Sequence, residues 1–344
     1  RPVVAVLGAA GAVGAPAARA LGRLGAIRLR AGLRGDSLEQ LCNGCDLVIN
    51  CIDPGAVPRN VVASAAFAAG ADYLDPGGGG YALIELAGLC PPGARLVLGA
   101  GVQPGLSELV PRWLASHEPP HPLTLTAYLA TLDRMTPGSA AELLLSLAGP
   151  DGGTRALWRA GARLPGRLDP AVDASVPFFP APVSAYPYLS AETERLGRLL
   201  PLDEIRWYNV FDSTGSMPAV LARLGALVKV TGDPALLAGD LIAAVAAELS
   251  GRQPLQQLVC ELTSRDASRV AVLRATSTYE LTATVTALAA MRMLDGSVPL
   301  GAHLAGEILP PQTVAELAGR PGLAGLHVLD QSLADCAESD EGTI

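Results

Sequence analysis

The sequence predicts an α/β protein: an N-terminal Rossmann domain joined to a second α+β domain that carries a large mixed or antiparallel sheet. Three observations lead there. Short, wholly apolar runs alternate with helix-like segments over the first hundred residues. Glycines stand three residues apart directly after the first of those runs, at Gly8, Gly11 and Gly14. Beyond residue 122 the runs lengthen and alternate polar with apolar, the pattern of half-buried strands.

Pro2–Leu7 is an uncharged run with the look of a strand buried on both faces, and a small-residue helix follows it from about Gly11 to Leu24. A secretory leader has a similar apolar stretch behind a basic residue, but the glycine spacing favours a strand–turn–helix unit. Ile27–Leu33 reads as a second strand. Asp36 then starts a capped helix, with Glu39 three residues on. Asp46–Ile52 is a third apolar strand, Arg59–Ala69 an alanine-rich helix, and Asp72–Asp75 a short strand closed by Pro76 and four glycines. A helix near Tyr81–Leu89 and a strand at Arg95–Gly99 complete the alternation, which implies a mostly parallel sheet. Only about a dozen residues separate the second strand from Asp46, too few for the extra strand and helix of an ordinary Rossmann half. A missing or displaced strand is the expectation there.

From Leu106 the pattern changes. A helix at Leu106–Ser116 and a proline-rich link at 117–122 lead to strands at Leu123–Leu129, Arg206–Phe211, Leu255–Thr263 and Arg269–Ala275. Helices at Ser139–Leu147, Pro218–Leu227 and Pro234–Leu249 separate them. Val176–Tyr188 is rich in proline and aromatics and reads as an irregular segment able to cover a pocket. Apolar helices at Ser277–Leu294 and Pro311–Gly319 are expected to pack back on the first domain. The division is 1–105 for the Rossmann domain, 106–276 for the substrate and dimerisation domain, and 277–344 for the returning helices. The last eight residues are polar and read as a frayed end.

Composition narrows the function. Twenty-five basic against 33 acidic residues give a formal charge of −8, which disfavours nucleic acid and anionic membranes as partners. Lys229 is the only lysine, so Schiff-base chemistry has one candidate. Six scattered cysteines in a chain this long read as reduced, which fits a cytoplasmic protein. Cys42-Asn-Gly-Cys45 has no second pair to make a zinc site, and reads as a turn between helix and strand. The four histidines show no metal-ligand spacing, so no metal is expected.

The glycine run carries the binding chemistry. Gly8 allows the tight turn, Gly11 lets backbone N–H groups approach a pyrophosphate, and Gly14 lets helix and strand pack closely. Ala12 and Val13 complete the loop at the helix N-terminus, where unpaired N–H groups favour phosphate. At the end of the second strand Arg34 suits the 2′-phosphate of NADP, whereas Asp36 could serve NAD. NADP is the expected cofactor and NAD the lesser one. Ligands of open parallel sheets sit beyond the carboxyl ends of the strands. That rule adds Asn50, Cys51 and Pro54 after the third strand, and Gln103 after the fifth, to the cofactor site. Asp53 and Asp75 stand there too, each with turn capping as the structural alternative.

The chain resembles the saccharopine dehydrogenase-like oxidoreductases in Gly8–Gly14, in Asn50-Cys-Ile-Asp-Pro-Gly55, in Ala69–Gly77 and in Gly99-Ala-Gly-Val-Gln-Pro-Gly-Leu-Ser107. Leu132–Ser139, Pro177–Pro180, Tyr188–Ser190 and Thr278-Tyr-Glu280 also fit the bacterial branch. The resemblance implies pyridine-nucleotide chemistry at carbon–nitrogen bonds of amino-acid derivatives. The expected function is an NADPH-dependent reductase of an imine or related group, acting on a small amino-acid-derived molecule and working as a homodimer. Carbonyl or enoyl reduction is the alternative enzyme reading, and nucleotide sensing without catalysis is the alternative of another class. Imine reduction needs one proton donor near the nitrogen. Asp75, Tyr186, Tyr188 and His303 are the candidates.

Overall fold

The computed structural model describes residues 1–25, 27–117, 124–148, 155–200 and 202–338. Two compact units emerge, 1–109 with 278–323, and 110–277 with 324–344. The proline-rich link beyond His117 and the tail from 339 lie outside the described residues.

The first unit opens β1 (Val3–Leu7), α1 (Gly14–Leu24), β2 (Arg28–Gly32), α2 (Leu38–Cys42), β3 (Leu47–Asn50), α3 (Arg59–Ala68), β4 (Asp72–Leu74), α4 (Gly80–Ala87) and β5 (Arg95–Leu98). Every residue of β3 is buried, as are Val4 to Leu7 of β1, because a parallel strand covered on both faces has no wet side. Helix α1 turns Pro16, Ala17 and Leu21 inward and leaves Arg19 and Arg23 outside, an apolar stripe at helical spacing.

The chain crosses through α5 (Leu106–Ala115) into the second unit. There follow β6 (Thr124–Leu132), α6 (Pro137–Ala148), β7 (Leu157–Arg159), β8 (Ala162–Leu164), β9 (Ala171–Ala174), β10 (Val183–Pro187), α7 (Ala191–Leu199), β11 (Glu204–Asp212), α8 (Met217–Thr231), α9 (Ala235–Leu249), β12 (Leu255–Thr263) and β13 (Ser268–Ala275). Helix α10 (Thr278–Leu294), β14 (Gly301–Leu304), α11 (Ala305–Ile308) and a 3₁₀ turn at Pro311–Leu317 return to the first unit. β15 (Leu323–Leu329) and α12 (Leu333–Glu338) end the described chain in the second.

The first sheet has six parallel strands in the order β14-β5-β4-β3-β1-β2. It stops at β2, where the sequence left room for no further strand. The link from β2 to β3 holds only α2. Ser37, not Asp36, caps that helix by accepting from the Gln40 N–H at 3.4 Å. Asp36 instead accepts from the Leu33 N–H at 2.8 Å and closes the turn after β2. Arg30 donates to the carbonyls of Gln40, Leu41 and Asn43 and so satisfies the end of α2.

Among the described residues the second sheet has nine strands, with β15-β13-β12-β6-β11-β10-β9 in line and the β7–β8 hairpin attached to β11. β6 and β11 run parallel, while β6–β12, β12–β13, β11–β10 and β10–β9 run antiparallel. The sheet is therefore mixed. Helices α6, α8 and α9 share an apolar core of Ala140, Leu144, Met217, Leu224, Val228, Leu241 and Val245.

Three further expectations change. The returning segment ends at Leu323, and the residues after it count with the second unit because β15 extends that sheet beside β13. The segment at Pro311–Leu317 is 3₁₀ rather than α. The segment Val176–Tyr188 is not irregular throughout. Val183–Pro187 is β10, hydrogen-bonded on both sides, and Phe178 is 1% exposed in a core with Val259, Val270, Val272, Leu333 and Cys336. The Phe178 carbonyl accepts from Gln257 at 2.9 Å and Arg274 at 3.0 Å, which ties this stretch to the sheet.

Candidate cofactor and active site

From β1 the chain moves outward to β2 on one side and to β3 on the other. The order of the first sheet therefore reverses at the β1–β3 pair, where Leu7 stands beside Asn50. A parallel sheet opens a crevice at such a point, because the two following connections leave on opposite faces. The loop from Gly8 to Gly14 rises from this crevice.

Its glycines have unequal tasks. Gly8 has φ +71°, and a Cβ there would stand 2.7 Å from the Cys51 carbonyl oxygen. A Cβ on Gly14 would fall 2.1 Å from the Gly8 oxygen. Both positions are closed to side chains by the fold itself. Gly11 differs: its N–H donates to the Gly8 carbonyl at 2.8 Å, and a Cβ there would meet only that oxygen, at 3.1 Å. Ala10, Gly11 and Ala12 are exposed, and Val13 half-exposed ahead of α1. The loop thus presents backbone to solvent at the opening of an eleven-residue helix, a cradle suited to a pyrophosphate. Arg34 is exposed on the turn after β2.

The carboxyl ends of β3 and β4 hold a buried polar network. Asn50, 1% exposed, accepts from the Ile52 N–H at 3.1 Å and donates to the Tyr73 hydroxyl at 2.8 Å and to Asp75 at 3.1 Å. The Tyr73 hydroxyl donates to Asp75 at 3.0 Å, the Arg59 guanidinium reaches the same carboxylate oxygen at 3.1 Å, and the Gly77 N–H donates to the other oxygen at 2.8 Å. Every one of these partners is a donor, which suits a charged carboxylate. Burial, reinforced by the charge of Asp75, pushes the Tyr73 phenol and the Cys51 thiol upward, so both stay protonated. Asp53 caps its own turn: its carboxylate accepts from Gly55 at 2.8 Å and its carbonyl from Ala56 and Val57. Pro54 lies within that turn.

Gln103 is exposed at the tip of the loop Gly101–Gly105 that follows β5. His303 stands within β14, and its Nε2 lies 2.9 Å from the Leu300 carbonyl, so the ring turns toward the amino end of the strand, away from the crevice side. Tyr186 and Tyr188 belong to the second unit. Tyr186 sits in β10 with its ring edge-on to Phe211 at 6.0 Å, and the Tyr188 hydroxyl donates to the Ser146 carbonyl at 3.4 Å. The parallel topology thus brings Gly8–Gly14, Arg34, Asn50, Cys51, Pro54, Asp75 and Gln103 to one edge of the first sheet, and leaves His303 apart. Sequence reasoning missed Tyr73 and Arg59. Tyr73 was legible as the residue two before Asp75 in one strand, hence on the same face. Arg59 gave no signal, since an arginine at a helix start is ordinarily solvated.

No family model matches the sequence, and no curated protein matches it. Solved structures do. The apo form of saccharopine dehydrogenase (L-Glu forming) from Saccharomyces cerevisiae aligns over 96% of this chain and 100% of its own, at 14% identity and a TM-score of 0.63. The chain has a saccharopine dehydrogenase-like fold. DAP dehydrogenase from C. glutamicum in complex with DAP aligns over 93% and 98% of the two chains, at 14% identity and TM-score 0.45. An engineered D-amino acid dehydrogenase bound to NADP+ gives 93% and 99%, 12% and 0.45. Those two superpose too loosely to argue from, and the fold assignment rests on the yeast enzyme. The large second sheet accounts for the long alternating strands of the sequence. No helix among the described residues is long and apolar enough to cross a membrane.

Proposed function

We propose that the chain is an NADP(H)-dependent oxidoreductase that reduces an imine or related carbon–nitrogen bond in a small amino-acid-derived substrate. The observation that carries this reading is the open backbone at Gly11, set between two glycines the fold cannot replace, at the reversal point of a parallel sheet. Gly8 to Gly14 would hold the pyrophosphate, Arg34 the 2′-phosphate, and Asn50 to Pro54 with Gln103 the nicotinamide side. When bound, the nucleotide supplies the hydride.

The chain's own part is to hold the groups still. The Asn50 side chain ties the turn after β3 to β4 through Ile52, Tyr73 and Asp75. Asp75 acts in this reading as a fixed anion rather than the proton donor, because its oxygens already accept from four donors. The iminium form of the substrate carries its own proton, and hydride transfer to it needs no further acid. The likeness to saccharopine dehydrogenase supports the substrate class, as a proposal from fold.

NADPH oxidation measured against cyclic imino acids, 2-oxo acids with amines, ketones and enoyl compounds tests the reading. Turnover confined to the carbon–nitrogen substrates is expected. Turnover only with ketones or enoyl compounds would select carbonyl or enoyl reduction instead. Tight NADPH binding with no turnover on any of them would select nucleotide sensing.

A further inference from the structure

A cleft in the first unit lies away from the glycine loop, and the proposed reaction does not use it. It encloses about 340 Å³ between Pro16, Arg19 and Arg23 of α1, Glu280 of α10, and Pro321 with Gly322. One wall is held firmly. The Pro321 carbonyl accepts from the Thr284 hydroxyl at 2.8 Å. Gly322 has φ +89°, and a Cβ there would stand 2.3 Å from the Leu281 nitrogen, so this turn lies directly on the first turn of α10. The opposite wall carries two arginines one helical turn apart, where like charges repel. The C-terminal end of α1 favours a cation at Arg23, but Arg19 stands in mid-helix and gains nothing from it. One acid of the cleft answers the pair. The Arg19 guanidinium reaches Glu280, the last residue of Thr278-Tyr-Glu280, at 2.7 Å, with the two side chains 55% and 37% exposed. Among the described residues the Arg23 side chain has no hydrogen-bonding or ionic partner. The cleft thus holds one positive charge in excess, in a chain whose net charge of −8 repels anions in general.

We propose that this cleft binds a phosphomonoester of a small organic molecule, as a second ligand site separate from the nucleotide crevice. Two guanidinium forks in a concavity suit a phosphoryl group, since each offers parallel N–H donors to its oxygens. Arg23 is the open fork, and Glu280 competes with the ligand for Arg19. Pro16 and Pro321 offer apolar surface to the organic part, and a cleft of this volume takes a small organic ligand rather than a bare ion. Arg23 stands nine residues beyond Gly14, about 13 Å along α1, which sets this ligand apart from the pyrophosphate. No bond is made or broken in this step.

The test titrates inorganic phosphate, glycerol 3-phosphate, glucose 6-phosphate and, as the uncharged control, glucose into the full chain at constant ionic strength, followed by calorimetry. The same titrations in Gly11→Val keep this site distinct from the glycine loop, whatever the loop binds. A phosphate ester is expected to bind more tightly than inorganic phosphate, equally in wild type and Gly11→Val, with glucose silent. Arg23→Met should weaken the ester by about tenfold or more and Arg23→Lys by less. Glu280→Gln should tighten it by about threefold, because a competing anion is gone. If Glu280→Gln does not fold, the two Arg23 variants carry the comparison, and equal affinity of Arg23→Met and wild type overturns the proposal. Ester binding lost in Gly11→Val and kept in Arg23→Met would put the anion on the glycine loop and overturn it as well. No ester binding to the wild type, or inorganic phosphate binding as tightly as both esters, would do the same.

Discussion

Asp75 receives four donors, three of them on one oxygen, and only a carboxylate offers enough acceptor capacity to satisfy them all. In Asp75→Asn one oxygen becomes an NH2 that faces other donors, and Arg59 loses its counter-charge in a mostly buried setting. A loss of about 3 kcal/mol is expected, the range seen when one partner of a buried pair is removed. Urea unfolding of the variant measures it, and an unchanged midpoint would show the network to be slack. Arg34 is a different kind of residue, exposed and without a structural duty that the fold displays. Arg34→Ala should weaken NADPH binding by about 1.5–3 kcal/mol, the worth of a charge-assisted contact, and leave NADH binding nearly alone. Equal losses for the two nucleotides, read by fluorescence titration, would remove the 2′-phosphate from Arg34. Cys42 makes a third case. Burial, then the neighbouring Cys45, pushes its thiol from 9.0 up to about 11, against the opposing pull of Arg30. The folded state therefore holds its proton longer than the unfolded chain. Stability from this group is full below pH 9 and falls as pH rises from about 9 to 11. At pH 7.5 the buried Cys42 and Cys45 should resist iodoacetamide, and mass spectrometry after brief labelling checks it.

At the scale of elements, the first sheet was largely legible because buried parallel strands leave continuous apolar runs between glycines and prolines. The short link between β2 and β3 was legible for a simpler reason: a dozen residues cannot hold two extra elements. Arg30 explains how the short link ends, by binding the three carbonyls that α2 leaves open. The cap at Ser37 was misplaced by one residue because Asp36 and Ser37 are both good caps, and only the turn after β2 decides between them. In the second sheet the long strands β6, β11, β12 and β13 showed their alternation, whereas β7, β8 and β9 are three or four residues long and cannot show a period. β10 was hidden by its prolines and aromatics. The buried network at β3 and β4 was the least legible part of the site, because contacts between a helix start and a strand end depend on tertiary placement. Gly14 permits a prediction at this scale. In Gly14→Ala the methyl group would stand 2.1 Å from the Gly8 oxygen, so helix α1 must shift off the sheet. This variant should lose thermal stability markedly, beyond the small helix-propensity gain that alanine ordinarily brings, and circular dichroism melting reads it.

Over the whole molecule, each unit is discontinuous in sequence. The first is completed only when α10 and β14 return, with β14 pairing along β5 and ten residues of α10 buried. A fragment ending at residue 277 would expose the β5 edge and that apolar face, and should be insoluble or unfolded even though it contains every proposed cofactor residue. A soluble fragment with sharp amide dispersion by NMR would show that the returning segment is dispensable. The same parallel sheet sets the crevice into which the glycine loop opens, so architecture and cofactor site stand or fall together. Gly11→Val probes that link most directly. Its Cβ meets one atom, the Gly8 oxygen at 3.1 Å, a contact relieved by a loop shift of a few tenths of an ångström, while its side chain would occupy the place of the pyrophosphate. The decisive measurement is calorimetric titration of NADPH into wild type and Gly11→Val, alongside their melting curves. Near-equal melting with nucleotide binding lost in the variant is the predicted result, and NADPH binding of equal affinity in both would contradict the site.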